Sequence, residues 1–448
     1  MKTTRRDFVK YGLMAGAAPL ILPARYAGAQ DSSFSADSLP ASSEIGMFID
    51  TSGAGKAWEG GIALFNERNK GRISVRYDSN DYSSFLQKMT LLFFSGSQQY
   101  DVFPVNGEWT AAVEKYLLPL DGFLEADGLD PTTLFGPNAA LTSGGKVLGL
   151  PARNAPNVFA YRKDLYDAAG FGAPKTIDEW AEQAPKLSQR SGDRFSVYGT
   201  SIAEGANAPH FSTVMLAYHY FPQGLRILTP DLSGPDPSLN SDAAVHILSV
   251  LQKLAADAPN QLAWSYNDNI TAWQQGTIAS SNIYAARSQA IEDPKSSMVG
   301  GKVAYTLAPG IPTGGEAAGP AGPHKPVYFG GPWYITISAK TRNPRAAWEL
   351  VKFLAASEEG QAHLALNVNN QPTLLNVLRS EAYQKKDPAA KAALEIYEKW
   401  GWSTVAPVPR SADVELAIHN QVQQLFSGAD PKQVAAGIYD GVGKVLSG

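Results

Sequence analysis

The sequence predicts an α/β fold divided between two lobes, and three observations carry that reading. The chain has 448 residues, more than one ordinary core organises. Its first third alternates between the strand and helix periods of apolar residues in the order β-α-β-α-β. Its composition is that of a globular protein, 44% hydrophobic and 18% charged, which argues against disorder as the main state.

The elements follow in order. Residues 1–29 read as a leader. Arg5 and Arg6 precede Asp7, Phe8 and Lys10, a mildly apolar stretch runs from Tyr11 to Leu22, and Ala27, Gly28 and Ala29 precede a cleavage point before Gln30. The stretch is roughly half of the ~20 residues a membrane span needs. The segment resembles a twin-arginine signal, which implies passage through the twin-arginine export machinery and a periplasmic location. With no cysteine at the cut, no lipid anchor is expected. Residues 30–43 read as a flexible tether, with structure beginning near Glu44. Ile45–Ile49 is a short apolar run. Trp58, Ile62 and Phe65 recur at helical spacing, Ile73–Tyr77 reads as a strand, Phe85, Met89, Leu92 and Phe93 as a helix face, and Tyr100–Val105 as a buried strand. This order argues a largely parallel sheet covered by helices. Thr176 and Glu179 form a capping box, and Asn343-Pro344 and Asp430-Pro431 place a cap residue before a first-turn proline. Ala244, Ile247, Leu248, Leu251, Leu254 and Ala255 make an apolar stripe that reads as core. Ala308–Trp333 is irregular, with seven glycines and six prolines. Its first part reads as a mobile surface loop, and its Gly330-Gly331 end as a cleft edge.

Composition narrows the function. The formal charge of −4 gives no basic footprint for nucleic acid. Removing the leader leaves 33 basic against 41 acidic residues, a net charge of −8 that favours solubility. Cysteine is absent, which excludes disulfides, thiolate metal sites and cysteine nucleophiles. Gly53, Gly55 and Lys56 fail the phosphate-loop pattern, because Asp50 stands where its first glycine belongs and Ala57 where a Ser or Thr belongs. They read as a strand-to-helix turn. The six histidines, His210, His219, His246, His324, His363 and His419, have no zinc-helix spacing, so neither a metal nor a cofactor is expected. No Gly-x-Ser-x-Gly elbow occurs. Carboxylates are abundant and a glycosidase pair stays open, with no pair distinguished.

Several blocks, in order, resemble one family. They are Asn66–Asn69, the strand Ile73–Tyr77, Ser95-Gly96, Tyr100–Phe103, Leu118–Asp121, and the long block from Gly149 through Tyr161–Tyr166 to Thr176. Trp273–Gly276, Asn343–Trp348, Lys352–Leu354 and Ser357–Gln361 complete them. Together the chain resembles the extracellular solute-binding proteins of ABC importers, the family that includes maltose-binding protein. It departs at Ile278–Tyr284, where that family often carries a pocket tryptophan and Ser280, Ser281 and Tyr284 stand instead. The resemblance implies a two-lobed periplasmic binding protein fold, mixed sheets flanked by helices, with a hinge between the lobes. One lobe is expected from 44–153 with 307–366, the other from 154–306 with 367–448. Crossings are expected near Pro151–Asn157, Ala304–Pro309 and Val368–Pro372. The implied role is capture of a sugar-like small molecule by lobe closure and delivery to membrane permease subunits, by a monomer and without bond making.

A sugar presents apolar C–H faces and a ring of hydroxyls, so its site needs aromatic surfaces and fixed polar groups. Candidates of these types at strand ends and crossings are Asp50 and Thr51, Tyr82, Asn106, Glu108 and Trp109, and Arg153, Asn154 and Asn157. Further along they are His210 and Phe211, Tyr284 and Arg287, Gly331 and Trp333, and Arg410. Each has a plainer reading. Trp109 and Trp333 could pack in the core, Glu108 could support a helix N-terminus, and Arg153 and Arg410 could pair between lobes or recognise an anion such as a sugar acid or glycerol phosphate derivative. Trp58, Trp180 and Trp348 read as core. Trp264, Trp273, Trp400 and Trp402 read equally as core or cleft.

Overall fold

In the computed structural model, the described residues are 42–448 apart from 52, 137–138, 155, 203–208, 261, 265, 311–316, 320–321, 325–327, 401 and 404–407. The leader and residues 30–41 of the tether lie outside them. Those described belong to one compact unit, Leu39–Gly448. None of the described helices is long and apolar enough to cross a membrane.

The first sheet begins one residue before the expected start. Strand β1 spans Ser43–Asp50, β2 Ile73–Asn80, β3 Val102–Asn106, β4 Leu141–Ser143 and β5 Lys146–Arg153. A second set comprises β6, Asn157–Arg162, β7, Ser280–Tyr284, and β8, Val303–Thr306, before β9, Trp333–Ile337, returns to the first sheet. The six-stranded order is β2-β1-β3-β9-β5-β4, and the three-stranded order is β8-β6-β7. The expectation of a largely parallel sheet holds for β2-β1-β3 only. β9 inserts antiparallel between β3 and β5, and the β8-β6-β7 sheet is antiparallel throughout.

The alternation of side chains along β1 explains why its run is apolar throughout. Met47 and Ile49 enter a core with Trp58, Ile62 and Phe65 of helix α1, Gly53–Arg68. Phe48 enters the core on the other face, with Phe85 and Met89 of helix α2, Tyr82–Phe94. A strand buried on both faces has no polar positions to alternate with. The second sheet packs against a core built on helix α3, Pro209–Tyr220, helix α4, Ser411–Phe426, and helix α5, Pro431–Ser447. Trp58, Trp180 and Trp348 are fully buried, as is Trp273, whose indole N–H donates to Ser281 Oγ at 2.8 Å.

Local signals are realised with small differences. Thr176 Oγ1 accepts from Glu179 N at 3.1 Å, while the Glu179 carboxylate reaches Lys175 N at 2.6 Å. Asp430 accepts from Lys432 N and Gln433 N. Asn343 does not cap its helix with its side chain, and instead donates to the Glu44 carbonyl at 3.3 Å.

The chain leaves the first sheet at Arg153 and enters the second at Asn157. It leaves the second at Thr306 and rejoins the first at Trp333. The two passages meet through a Pro156–Gly330 bridge. A third segment lies against them: Asn370 Nδ2 donates to Ala152 O at 3.0 Å, and Thr373 Oγ1 to Pro151 O at 2.6 Å. Beyond it, Leu374, Leu378, Tyr383 and Tyr397 pack into the core of Met47 and Ile49, whereas Ala389, Ala392, Ala393 and Ile396 pack with Val158, Ala160 and Ile283 of the second sheet in a further core.

Candidate functional site

The strands of the first sheet end along one edge. Asp50, Asn80, Asn106 and Arg153 close β1, β2, β3 and β5, and Trp333 opens β9 in register with both Asn106 and Arg153. In open α/β sheets, ligands bind beyond the carboxyl ends of the strands. Asp50 is buried and Thr51 exposed, the Thr51 amide donating to the Asn80 carbonyl. Tyr82 opens α2 immediately beyond β2.

After β3 the chain turns sharply. Asn106 Oδ1 accepts from Glu108 N at 3.1 Å and starts a single 3-10 turn, Gly107–Trp109. The Gly107 amide donates to the Pro332 carbonyl at 3.0 Å, which ties this turn to the Gly-Gly-Pro segment ahead of Trp333. Trp109 and Trp333 then meet edge to face, ring centres 5.3 Å apart at 80°. Trp109 also lies 6.0 Å from the Phe85 ring. Trp333 is a buried member of the core and Trp109 is half-buried, so the pair forms one wall of aromatic surface from the core to the sheet edge.

On the second sheet, Asn157 stands opposite Tyr284. Asn157 is fully buried, and among the described residues neither atom of its side-chain amide has a hydrogen-bond partner. Such a group ordinarily has a partner in a working protein, whether water or a ligand. Tyr284 packs edge to face on Tyr218, 5.6 Å between ring centres, and is the nearest group to Gly331, where a Cβ would come within 3.9 Å of its ring. Asn154 is also fully buried, beside the Tyr397 hydroxyl, which burial pushes well above its ordinary value. Arg287 ends a turn after β7 and is exposed.

The two bodies meet at His210. Its Nδ1 lies 2.8 Å from Glu415 Oε1 and 3.2 Å from Glu108 Oε2. Glu108 comes from the turn after β3, His210 from the first turn of α3 and Glu415 from the first turns of α4. The three side chains are 7%, 28% and 13% exposed, so this contact is largely withdrawn from solvent. Phe211 rests against the His210 ring at 5.4 Å. α3 and α4 are locked together nearby, with Ser212 Oγ 2.8 Å from His419 Nδ1. Burial lowers the pKa of His419.

The structure therefore brings Asn106, Glu108, Trp109, Arg153 and Trp333 to one edge, Asn157, Tyr284 and Gly331 to the crossing, and His210 across to Glu108. Arg410 is not among them. It is exposed, its guanidinium donating to Asp413 Oδ2 at 2.9 Å and to the Val445 carbonyl at 2.7 Å, so it ties α4 to α5. Sequence reading missed Glu415. The available signal was the polar pair Glu415 and His419, four residues apart beside the buried stripe Val414, Ile418, Val422 and Leu425.

Two α/β bodies joined by adjacent crossings, with candidate residues of both facing one seam, define a two-lobed binding protein. The chain belongs to the bacterial extracellular solute-binding protein family, whose sequence profile matches residues 50–361, and it has the maltose-binding-protein type of fold found in ABC-importer solute-binding proteins. A probable ABC transporter-binding protein of Deinococcus radiodurans is 26% identical over 73% of this chain and 74% of its own length. A probable amino-acid ABC transporter periplasmic-binding protein of Sinorhizobium fredii is 25% identical over 84% of this chain and 82% of its own. An ABC transporter solute-binding protein of Agrobacterium radiobacter, solved in complex with ribitol, superposes with a TM-score of 0.74 at 22% identity, over 90% of this chain and 99% of that one.

Proposed function

We propose that this protein captures a sugar or sugar alcohol between its two lobes and delivers it to the permease of an ABC importer. The observation that carries the reading is the Trp109–Trp333 wall beside Asn106, together with the buried amide of Asn157 and the ring of Tyr284 at the crossing. This is the mixture of flat apolar surface and fixed hydrogen-bonding groups that a polyhydroxylated ligand needs. The ribitol complex of the similar Agrobacterium protein supports it. Binding closes the lobes about crossings near Pro151–Asn157, Ala304–Pro309 and Val368–Pro372. The first lobe consists of 44–153 with 307–366 and the second of 154–306 with 367–448, the segment 374–397 straddling both. The twin-arginine leader is removed near Ala29, and the mature chain acts in the periplasm as a monomer.

A second reading rests on Arg153, whose place in register beside Trp333 suits an anionic solute such as a sugar acid, a glycerol phosphate derivative or an amino acid. The approach of Glu108 and Glu415 is what a hydrolase reading needs, yet the ring of His210 stands between them. A panel of glycosides is accordingly expected to be left intact.

A thermal-shift panel of neutral sugars, sugar alcohols, sugar acids, glycerophosphodiesters and amino acids tests the proposal. A ligand present at 100 times its Kd adds about 2.7 kcal/mol of stability, a shift well above noise. Stabilisation by a sugar or sugar alcohol is expected. Stabilisation by the charged classes alone would favour the Arg153 reading, and none by any class would sink both.

A further inference from the structure

We propose that Glu108, His210 and Glu415 form a binding site for one divalent transition-metal ion of the zinc class, bridging the two lobes. The donor atoms come from three distant segments and two lobes, and all lie within 4.8 Å of one another. Both carboxylates approach the same imidazole nitrogen: Glu415 Oε1 at 2.8 Å and Glu108 Oε2 at 3.2 Å from His210 Nδ1. One N–H on that nitrogen can be donated squarely to only one of them. A cation between the three atoms would engage both carboxylates at once, with Nδ1 deprotonated.

The dimensions suit such an ion. Zinc binds imidazole nitrogen and carboxylate oxygen at about 2.0–2.2 Å, so two ligands of a tetrahedral site stand roughly 3.4 Å apart. The two contacts to His210 need to open by only a few tenths of an ångström to reach that spacing. One nitrogen and two oxygens are a borderline donor set that favours zinc, nickel or cobalt over calcium or magnesium. Three protein ligands leave a fourth position for water or a hydroxyl of a captured solute.

Local spacing carries no trace of this set, because zinc-helix spacing looks for ligands within one helix. Here each lobe supplies part of the set, Glu108 from one and His210 with Glu415 from the other. The ion would therefore hold the lobes together. The proposal does not depend on which solute the cleft takes.

The test is a calorimetric titration of the untagged mature chain, freed of metal by chelator, with zinc chloride. The expected result is one saturable site per chain, at least tenfold weaker in His210→Ala and in Glu415→Gln, with zinc raising the melting temperature of the wild type only. Circular dichroism checks that each variant is folded. Should His210→Ala not fold, Glu415→Gln carries the comparison. No uptake at one equivalent, or affinity unchanged in a folded variant, overturns the site. The solute panel repeated in chelator separates this outcome from failure of the solute-binding reading.

Discussion

At the scale of single residues, two positions show how tightly the seam is drawn. Gly55 lies in the first turn of α1, and a Cβ there would lie 1.6 Å from the Asp50 carbonyl oxygen. No L side chain fits without moving the end of β1, where Asp50 lies buried. Gly55→Ala is therefore expected to lower stability by about 2–3 kcal/mol, read as a fall in melting temperature, whereas Gly122→Ala, with open space around it, should change little. His219 is the second case. It is fully buried with its ring stacked on Trp180 at 5.6 Å, and burial lowers its pKa to about 3. It is neutral across the physiological range. Sequence reading singled out His210, placed ahead of a helix, and not His219, but partners 205 residues apart in the chain, such as His210 and Glu415, leave no local trace.

At the scale of elements, the helix Pro344–Val351 is held by a compact charge network. Asp127 accepts from Lys352 Nζ at 2.6 Å, from Trp348 Nε1 at 2.9 Å and from Arg345 at 3.0 Å. Burial pushes the Asp127 pKa up, but the hydrogen bonds from Lys352, Trp348 and Arg345 together outweigh it and hold the group lowered from 3.8 to about 2. The sign follows directly. The folded form prefers the ionised carboxylate, so its stabilisation is complete above about pH 4 and is lost as pH falls through about 2. Asp127→Ala should remove this acid dependence and lower stability at neutral pH by about 2 kcal/mol, measurable by denaturant titration at pH 7 and pH 3. Equal losses at the two pH values would contradict the assignment. The elements themselves were largely legible. The runs at Ile45–Ile49 and Ile73–Tyr77, the capping box at Thr176 and the proline starts at Pro344 and Pro431 fall where the structure has strands and helices. Strand direction was not legible: β9 pairs with β3 from more than 220 residues away, and its apolar pattern is the same for parallel and antiparallel neighbours.

At the scale of the whole molecule, the crossings and the seam belong to one design. Pro156 and Gly330 bridge the first two passages, and Asn370 and Thr373 fasten the third segment to the end of β5. Beyond that segment, Asp387 is buried and accepts from Ser288 Oγ at 2.6 Å and from the Tyr383 hydroxyl at 2.8 Å. The Ser288 bond ties the straddling segment to the chain after β7, and Tyr383 packs into the core of the first sheet. On the proposed reading, these segments are the hinge about which the edge carrying Asn106, Trp109 and Trp333 opens and closes. Family membership could be read from the order of the sequence blocks, and the site residues only as types at strand ends. Which of them meet across the seam required the fold. The most direct measurement is isothermal titration of the stabilising sugar or sugar alcohol into the wild type and into Trp109→Ala. The account predicts a single site near micromolar affinity, about −8 kcal/mol, weakened at least tenfold in a folded Trp109→Ala protein. Affinity unchanged by that substitution would contradict the placement of the solute against the tryptophan wall.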